Sequence, residues 1–329
     1  MASLATHWQR RTLVARLLWP ASMAFRALVF LRRWAYRLRL LASHRVGIPV
    51  VVVGNVVAGG SGKTPLVLWV ARFLARRGWK PGIVSRGYGA RVESPRAVTI
   101  VSQAAEVGDE PVLLARRSGC PVWVGPDRVA AIAAMRAASP EVNVVVLDDG
   151  LQHYRLERDL EVAVVDARLF GNGWMIPAGP LREPPARLRS VDAVVTNATS
   201  AIPGYAMRVE GEFAHRLVDA TDRRPLAAFR GQRVRAIAGI GEPRRFFALL
   251  STHGVTAIEH PFPDHHPLRP ADLAFDDDAP VLMTEKDAVK LRGSSDPRWW
   301  VVPVEAELDP AFGEWLATRL ASVAQNNRS

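Results

Sequence analysis

The sequence predicts an α/β fold in which a parallel sheet is covered by helices on both faces. Short runs of β-branched residues alternate along the chain with stretches of helical periodicity, the pattern typical of such sheets. An apolar run at 48–53 leads into a glycine-rich turn and an amphipathic stretch at 65–77. A second apolar run at 143–147 ends in Asp148 and Asp149. Both predicted strands therefore end in polar groups, at the edge where parallel sheets bind ligands.

The turn after the first strand has the composition of a phosphate-binding loop. Glycines let backbone N–H groups close around phosphate oxygens, a lysine adds a positive charge, and a threonine hydroxyl can ligate Mg²⁺. The strict pattern G-x-x-x-x-G-K-[ST] is not met, because Val57 occupies the position of its first glycine. A glycine-rich turn with a surface lysine is the alternative. The flanking strand and helix favour a P-loop NTPase-like core with the nucleotide-binding residues Gly59, Gly60, Ser61, Gly62, Lys63, Thr64 and Pro65.

The paired carboxylates at Asp148 and Asp149 predict a metal site beside this loop. In P-loop enzymes a neighbouring strand brings an aspartate close to the Mg²⁺ that the loop's Ser or Thr holds. The alternative is an ordinary strand-to-turn Asp-Gly step at Asp149-Gly150. Two adjacent aspartates at a strand's carboxyl end favour the metal site.

Charge and cysteine content narrow the function classes. The chain has 329 residues, 49% of them hydrophobic, which is enough to bury one large core or two ordinary ones. Its single cysteine, Cys120, excludes a disulfide framework and a thiolate metal cluster. The net charge of +11 comes from the N-terminal end: no Asp or Glu precedes Glu93, whereas residues 93–329 carry 27 Lys and Arg against 32 Asp and Glu. A domain-wide polyanion surface is therefore not expected, and no nucleic-acid partner is predicted.

The basic N-terminal segment, residues 1–45, predicts an amphipathic helix that lies on a membrane. Arg16 and Arg26 interrupt its apolar runs and Pro20 is expected to kink it, so it is too short to span a bilayer. A cleaved signal peptide also fits poorly, because charge recurs on both sides of the apolar run. An ordinary packed helix with a basic outer face is the alternative to membrane contact. The predicted apolar face consists of Val14, Leu17, Leu18, Phe25, Leu28 and Val29.

Pattern changes along the chain predict the remaining segments. The nucleotide-binding core is expected to occupy residues 46–204. Residues 205–230 alternate like an extended ribbon and are predicted to be a hinge linker. A new β-α unit begins near 234, so a smaller α/β domain is predicted at 231–323, and residues 324–329 are predicted to be a disordered tail.

Two candidate catalytic side chains lie in predicted loops, Asp109 and His265. Asp109 precedes Glu110-Pro111 and could simply cap the helix that begins there. His265 and His266 are adjacent, which makes joint chelation of one metal ion difficult. Phosphoryl transfer to a hydroxyl needs a base for the acceptor proton, and an aspartate oriented by a histidine fits that role.

Seven short motifs lie along most of the chain. They are the loop at 59–65, Ser85-Arg86-Gly87-Tyr88-Gly89, Gly108-Asp109-Glu110-Pro111, Asp148-Asp149-Gly150-Leu151-Gln152-His153, Leu181-Arg182-Glu183-Pro184, Asp264-His265-His266 and Thr284-Glu285-Lys286-Asp287. Together these motifs resemble those of the tetraacyldisaccharide 4′-kinases, the lipid A pathway kinases of Gram-negative bacteria. Val57 is consistent with this resemblance, because the family's loop also lacks the first glycine.

The resemblance implies transfer of the ATP γ-phosphate to the 4′-hydroxyl of an acylated glucosamine disaccharide 1-phosphate. By motif match, Lys63 would hold the β- and γ-phosphates and Asp109 would be the base, its pKa tuned by His265. The Mg²⁺ ligands would be Thr64, Glu183 and one of Asp148 and Asp149. The nucleotide and acceptor pocket would be lined by Tyr88, Arg128, Gln152, His153 and Arg182.

The same resemblance implies a place and a motion for the enzyme. A lipid acceptor and a basic N-terminal helix suit a monomer bound peripherally to the cytoplasmic face of the bacterial inner membrane. Two domains would close over ATP, with the hinge near 205–230.

Two other function classes fit a P-loop. One is an ATP- or GTP-hydrolysing switch, although the Asn-Lys-x-Asp guanine motif is missing and Thr284-Glu285-Lys286-Asp287 lacks its asparagine. The other is a nucleic-acid-stimulated ATPase, which only the basic N-terminus favours.

Overall fold

The structure is a computed structural model that describes residues 7–198, 201–291, 293–294 and 296–326. Its helices are α1 (Leu13–Leu17), α2 (Trp19–Arg37), α3 (Lys63–Arg76), α4 (Ala104–Val107), α5 (Asp109–Ser118), α6 (Arg128–Ala138), α7 (Pro243–Thr252), α8 (Glu285–Ala288) and α9 (Pro310–Asn326).

The strands of the first half are β1 (Val50–Gly54), β2 (Pro81–Ser85), β3 (Arg96–Val98), β4 (Val122–Val124), β5 (Val144–Asp148), β6 (Leu160–Asp166) and β7 (Ala193–Asn197). Those of the second half are β8 (Tyr205–Glu210), β9 (Phe213–Arg216), β10 (Arg223–Pro225), β11 (Val234–Ala238), β12 (Ala257–Pro261), β13 (Val281–Thr284), β14 (Trp299–Val302) and β15 (Glu305–Leu308).

A large sheet of nine strands forms the centre of the molecule, in the order β15-β8-β7-β6-β1-β5-β2-β4-β3. Its inner strands are parallel, and only the two edge strands, β15 and β3, run antiparallel to their neighbours. Successive residues of β1 alternate between two cores: Val51 and Val53 pack on the side of α3 and α9, whereas Val50 and Val52 pack with α6. The predicted parallel sheet with both faces covered is confirmed.

A second sheet of six strands, in the order β10-β9-β14-β13-β11-β12, forms the smaller α/β unit. Phe246 and Leu250 of α7 pack on one face around Trp300. The other face is covered by a separate cluster that includes Leu268, Leu273 and Met283. Each sheet therefore has its own hydrophobic core.

The sheets do not follow the predicted segment boundaries. Strand β8, inside the predicted 205–230 linker, pairs with β7 in the large sheet, whereas β9 and β10 belong to the small sheet. The predicted small domain at 231–323 also includes β15 and α9, which return to the large sheet and pack Phe312, Leu316 and Leu320 into its core. The chain therefore crosses between the sheets twice, near 211–212 and near 303–304.

The chain ends also differ from expectation. Residues 324–326 complete α9, and residues 327–329 of the predicted tail lie outside the described residues. At the other end the helix breaks at Leu18, so that Pro20 lies in the first turn of α2, where its missing N–H is not needed. None of the described helices is both long and apolar enough to cross a membrane.

Candidate functional site

The glycine-rich loop joins the carboxyl end of β1 to the first turn of α3, as the sequence predicts. Gly62 has φ +88°, and a Cβ there would lie 2.3 Å from Asn197 Nδ2, so this position requires glycine. The loop is held by side chains: Asn55 Nδ2 donates to Ser61 Oγ at 3.0 Å, and Asn197 Nδ2 donates to the Ser61 carbonyl at 3.0 Å. Lys63 and Thr64 open α3, with the backbone N–H groups that a helix start leaves free for an anion.

The loop lines a cavity of about 770 Å³ between the two sheets, a volume that suits a nucleotide. Gly60, Lys63 and Thr64 contribute from the large-sheet side, together with Glu110. Strand β14, α7 and α8 of the small sheet provide the opposite wall, through side chains that include Arg245 and Lys286. A ligand held by the loop would therefore contact both α/β units.

Asp148 and Asp149, which end strand β5 beside the loop, have opposite environments. Asp149 lies 3.6 Å from Lys63 Nζ and receives two hydrogen bonds from Arg182, at 2.8 and 2.9 Å. Burial opposes these interactions, but the charges of Lys63 and Arg182 lower the pKa of Asp149 to about 2. Asp148 is buried and accepts from Ser85 Oγ at 3.1 Å; burial and the nearby Glu110 and Asp149 raise its pKa.

The donor set at this strand end fits a divalent cation in part. Asp148 Oδ1 is buried and finds no hydrogen-bond partner among the described residues, as expected of an oxygen reserved for a cation. Glu183, predicted as a further ligand, is instead fully buried against Gln152, Tyr154 and Arg187. Within the described part of the chain, no three His, Cys, Asp or Glu side chains form a ready-made metal site. The oxygens of Glu183 are thus bonded to protein side chains, and its predicted part in Mg²⁺ binding, with Thr64 and one of Asp148 and Asp149, stays a prediction.

Asp109 and His265 come together across the two α/β units, 156 positions apart in the chain. His265 Nδ1 lies 3.0 and 3.1 Å from the two carboxylate oxygens of Asp109, which is buried in the first turn of α5. Burial would raise the pKa of Asp109, but the His265 hydrogen bond and the charges of Lys286, His265 and Lys290 lower it below its ordinary value. Burial would likewise lower the pKa of His265, and the contact with Asp109 raises it instead.

Lysines that sequence reasoning gave no role complete this cluster. Lys286 Nζ lies 2.9 Å from Glu110 and 2.9 Å from Asp264, and 3.4 Å from His265 Nε2. Lys290 Nζ lies 3.5 Å from Asp109. The signal that could have found Lys286 is its place in Thr284-Glu285-Lys286-Asp287, directly after β13, because parallel strands present ligand-binding groups at their carboxyl ends.

The remaining predicted pocket residues occupy different positions. Tyr88 is exposed and packs its ring on His265, with ring centroids 4.9 Å apart. Gln152 donates to the Asn55 carbonyl at 3.1 Å and to Glu183, so it supports the loop. Arg128 is buried, and burial with the charge of Arg86 lowers its pKa to about 10. His153 lies near Arg128, and burial followed by that charge lowers its pKa to about 4.

The strand, glycine loop and helix, with aspartates on the adjacent strand, define a P-loop nucleotide-binding protein of the α/β class. The sequence profile of a family described as tetraacyldisaccharide-1-P 4′-kinase matches residues 14–321. The chain belongs to this family and is therefore a kinase that transfers phosphate to a hydroxyl group in lipid A biosynthesis.

Individual relatives agree with the profile. The tetraacyldisaccharide 4′-kinase of Alkalilimnicola ehrlichii is 51% identical over 327 residues, covering 98% of each chain. That of Methylobacillus flagellatus is 46% identical over 324 residues, covering 98% of this chain and 97% of the relative. The crystal structure of LpxK from Aquifex aeolicus in complex with ATP superposes with a TM-score of 0.78 at 25% identity, over 94% of this chain and 100% of that one. Membership in a kinase family decides against the hydrolytic switch and the nucleic-acid-stimulated ATPase.

Proposed function

We propose that this kinase transfers the γ-phosphate of ATP to the 4′-hydroxyl of a tetraacyldisaccharide 1-phosphate, with Asp109 as the base. The observation that carries the proposal is the Asp109–His265 contact at 3.0 Å, next to Glu110, which lines the same cavity as the phosphate loop. A buried carboxylate that stays ionised at neutral pH can accept the hydroxyl proton as the phosphate bond forms.

Each residue of the cluster has a distinct part in the proposed reaction. Asp109 accepts the proton from the acceptor hydroxyl, and His265 fixes the orientation of its carboxylate. Lys63 places its ammonium against the phosphates at the start of α3, where free N–H groups also bind oxygen atoms. Lys286 holds Glu110 and Asp264 on opposite sides of the cleft, which keeps the two α/β units in register.

Mg²⁺ would be held by Thr64 and Asp148. The buried, unpartnered Asp148 Oδ1 supports this choice over Asp149, whose oxygens are bonded to Arg182. When bound, the ion would neutralise charge that develops on the phosphate oxygens. Asp149 then keeps Lys63 and Arg182 in place for the phosphates and the acceptor.

We further propose that α1 and α2 bind the enzyme peripherally to the cytoplasmic face of the inner membrane as a monomer. Large apolar side chains are exposed along both helices, with Leu17 at 81% and Leu28 at 65%. Arginines flank them, and basic residues beside an apolar face favour anionic lipid surfaces. This geometry would bring the active cleft to the membrane that holds the lipid acceptor.

The test is phosphorylation of tetraacyldisaccharide 1-phosphate in detergent micelles, with labelled ATP and Mg²⁺. Wild-type protein should produce labelled lipid, and Asp109→Asn should lower kcat by at least about a hundredfold while ATP binding changes less than about threefold. The neighbouring Glu106→Gln, exposed on α4, serves as the control and should retain full activity. If folded wild-type protein forms no labelled lipid, the proposed reaction is wrong. If kcat and ATP affinity fall in parallel in Asp109→Asn, Asp109 is not the base.

A further inference from the structure

A second cavity of about 640 Å³ lies under α2, away from the phosphate loop. Its walls come from α2 on one side and from residues 154–161 and 184–190 on the other. The rim includes the exposed aromatic side chains of Phe30 and Trp34, whose ring centroids are 5.8 Å apart. The lining shares no residue with the cavity that contains the phosphate loop.

The cavity carries an excess of positive charge. Five arginines line it against two glutamates, Glu157 and Glu161; the arginines are Arg26, Arg33, Arg37, Arg158 and Arg187. Glu161 is held by Arg158 at 2.8 Å and by Arg187, and Glu157 by Arg45 at 3.0 Å. The two lining glutamates are therefore already paired. Of the α2 arginines, Arg33 lies 3.8 Å from Glu183, so the excess positive charge comes from Arg26 and Arg37.

One of these arginines, Arg158, has a buried N–H donor without a protein partner among the described residues. Arg158 lies over the Tyr154 ring, 4.5 Å from its centroid, with its side chain 13% exposed. Its Nη1 is buried and finds no hydrogen-bond partner among the described residues. A buried guanidinium donor without a partner is costly, and an anionic oxygen in the cavity would satisfy it.

We infer that this cavity binds the phosphate group of an anionic membrane lipid, with the buried Arg158 as its direct contact and with Arg26 and Arg37 supplying positive charge along the α2 wall. Arginine forks match phosphate oxygens, and the aromatic rim at Phe30 and Trp34 would take the first carbons of the acyl chain. The inference rests on the proposed membrane location, because α2 forms both the cavity wall and the exposed apolar surface.

The wall of the cavity also connects it to the phosphate loop. Tyr154, in the lining, donates to Glu183, which accepts from Gln152 at 3.0 Å. Gln152 in turn donates to the carbonyl of Asn55, whose side chain holds Ser61. A lipid phosphate in the cavity would therefore lie at the far end of a hydrogen-bonded chain that ends in the nucleotide-binding loop.

The test is calorimetric titration of the full chain with dihexanoyl phosphatidic acid below its micelle concentration, without ATP or acceptor. The double variant R26Q/R37Q removes two cavity arginines, both exposed on α2. The matched control R16Q/R39Q removes two exposed arginines that do not line the cavity. We expect R26Q/R37Q to weaken binding by about tenfold or more, and the control by less than twofold.

A parallel titration with inorganic phosphate distinguishes a site for a lipid phosphate from a site for free phosphate. A lipid site predicts binding of free phosphate at least about tenfold weaker than of phosphatidic acid, because the aromatic rim then contributes nothing. Equal losses in both double variants would mean diffuse electrostatic attraction and would overturn the site. Free phosphate that binds as tightly as the lipid would overturn the lipid assignment. Because the readout is binding alone, failure of the kinase assay leaves this result intact.

Discussion

At the scale of single residues, the adjacent carboxyl groups of Asp148 and Asp149 have opposite pKa shifts because their surroundings differ. Asp149 faces Lys63 and Arg182 and is held ionised, whereas Asp148 is buried beside Glu110 with one unpartnered oxygen. Adjacent residues at the end of a strand point in different directions, so one carboxylate can order cationic side chains while the other is left for a cation. Asp109 obtains its low pKa from residues on the other α/β unit, chiefly His265.

The contact between Asp109 and His265 predicts the pH dependence of activity. His265→Gln removes the hydrogen bond and charge that lower the pKa of Asp109, so this pKa should rise and the acidic limb of the kcat/KM profile should move to higher pH. His266→Gln is the control, because His266 lies 3.6 Å from Asp272 and not against Asp109. Profiles measured from pH 4 to 9 should show the shift only in His265→Gln. An unmoved acidic limb would show that Asp109 does not set it.

At the scale of the element, α2 has three different faces. Ser22, Phe25 and Val29 hold it to the molecule: Ser22 Oγ donates to the Met175 carbonyl at 2.8 Å, and the other two pack beside Val56 and Leu181. A second face lines the arginine-rich cavity. The third exposes Leu28 and Leu31, and Leu38 directly after the helix continues this apolar stripe. The apolar face predicted from the sequence is therefore divided between the core and the surface.

The exposed stripe predicts membrane attachment that point variants can remove. Leu28→Asp with Leu31→Asp places two charges on the stripe and should lower the fraction bound to phosphatidylglycerol-containing vesicles by at least about tenfold. Ala133→Asp with Ala137→Asp adds the same charge on the exposed side of α6 and should change binding much less. Co-sedimentation with vesicles gives the measurement. If both double variants bind alike, the stripe is not the attachment surface.

At the scale of the whole molecule, the two α/β units meet around the phosphate loop. Arg245 on α7 lies 3.0 Å from Asp166 at the end of β6. Asp166 also binds Arg168 through two oxygens, and Arg168 donates to the Gly60 carbonyl at 2.5 Å. The small unit is thereby connected to the loop by a chain of charged contacts. The chain crosses between the units near 211–212, inside the segment 205–230 that is predicted to be a hinge, and again near 303–304.

This chain of contacts predicts that closure assists nucleotide binding. Arg245→Ala should raise the KM for ATP by about five- to tenfold with little change in melting temperature, because the connection between the units is lost but each core stays intact. Arg244→Ala, at the exposed adjacent position, is the control and should behave like wild type. Steady-state kinetics at saturating acceptor gives the comparison. Equal KM values for both variants would show that the contact has no role in nucleotide binding.

Local patterns predicted much of this molecule. The alternation of strands and helices, the loop at 59–65 and the aspartates after β5 lie where the sequence places them, because strand and helix periods and glycine turns are local properties. The assignment of segments to sheets was less predictable. β15 and α9 return to the large sheet after the small one is complete, and pairing between distant strands leaves no local signal.

The sequence by itself determined the fold class, the family and the chemistry of the loop, since composition and short motifs suffice for these. Tertiary structure decided which side chains meet. It joined Asp109 to His265 and Glu110 to Lys286 across the cleft, and it brought Glu183 into a network with Tyr154 and Arg187. It also gave the three faces of α2 different surroundings: the core, the arginine-rich cavity and the solvent. The Asp109–His265 contact depends on how the two sheets pack against each other, because residues more than a hundred positions apart meet only when both cores are formed. The Glu183 network and the position of α2 depend on packing within the large unit.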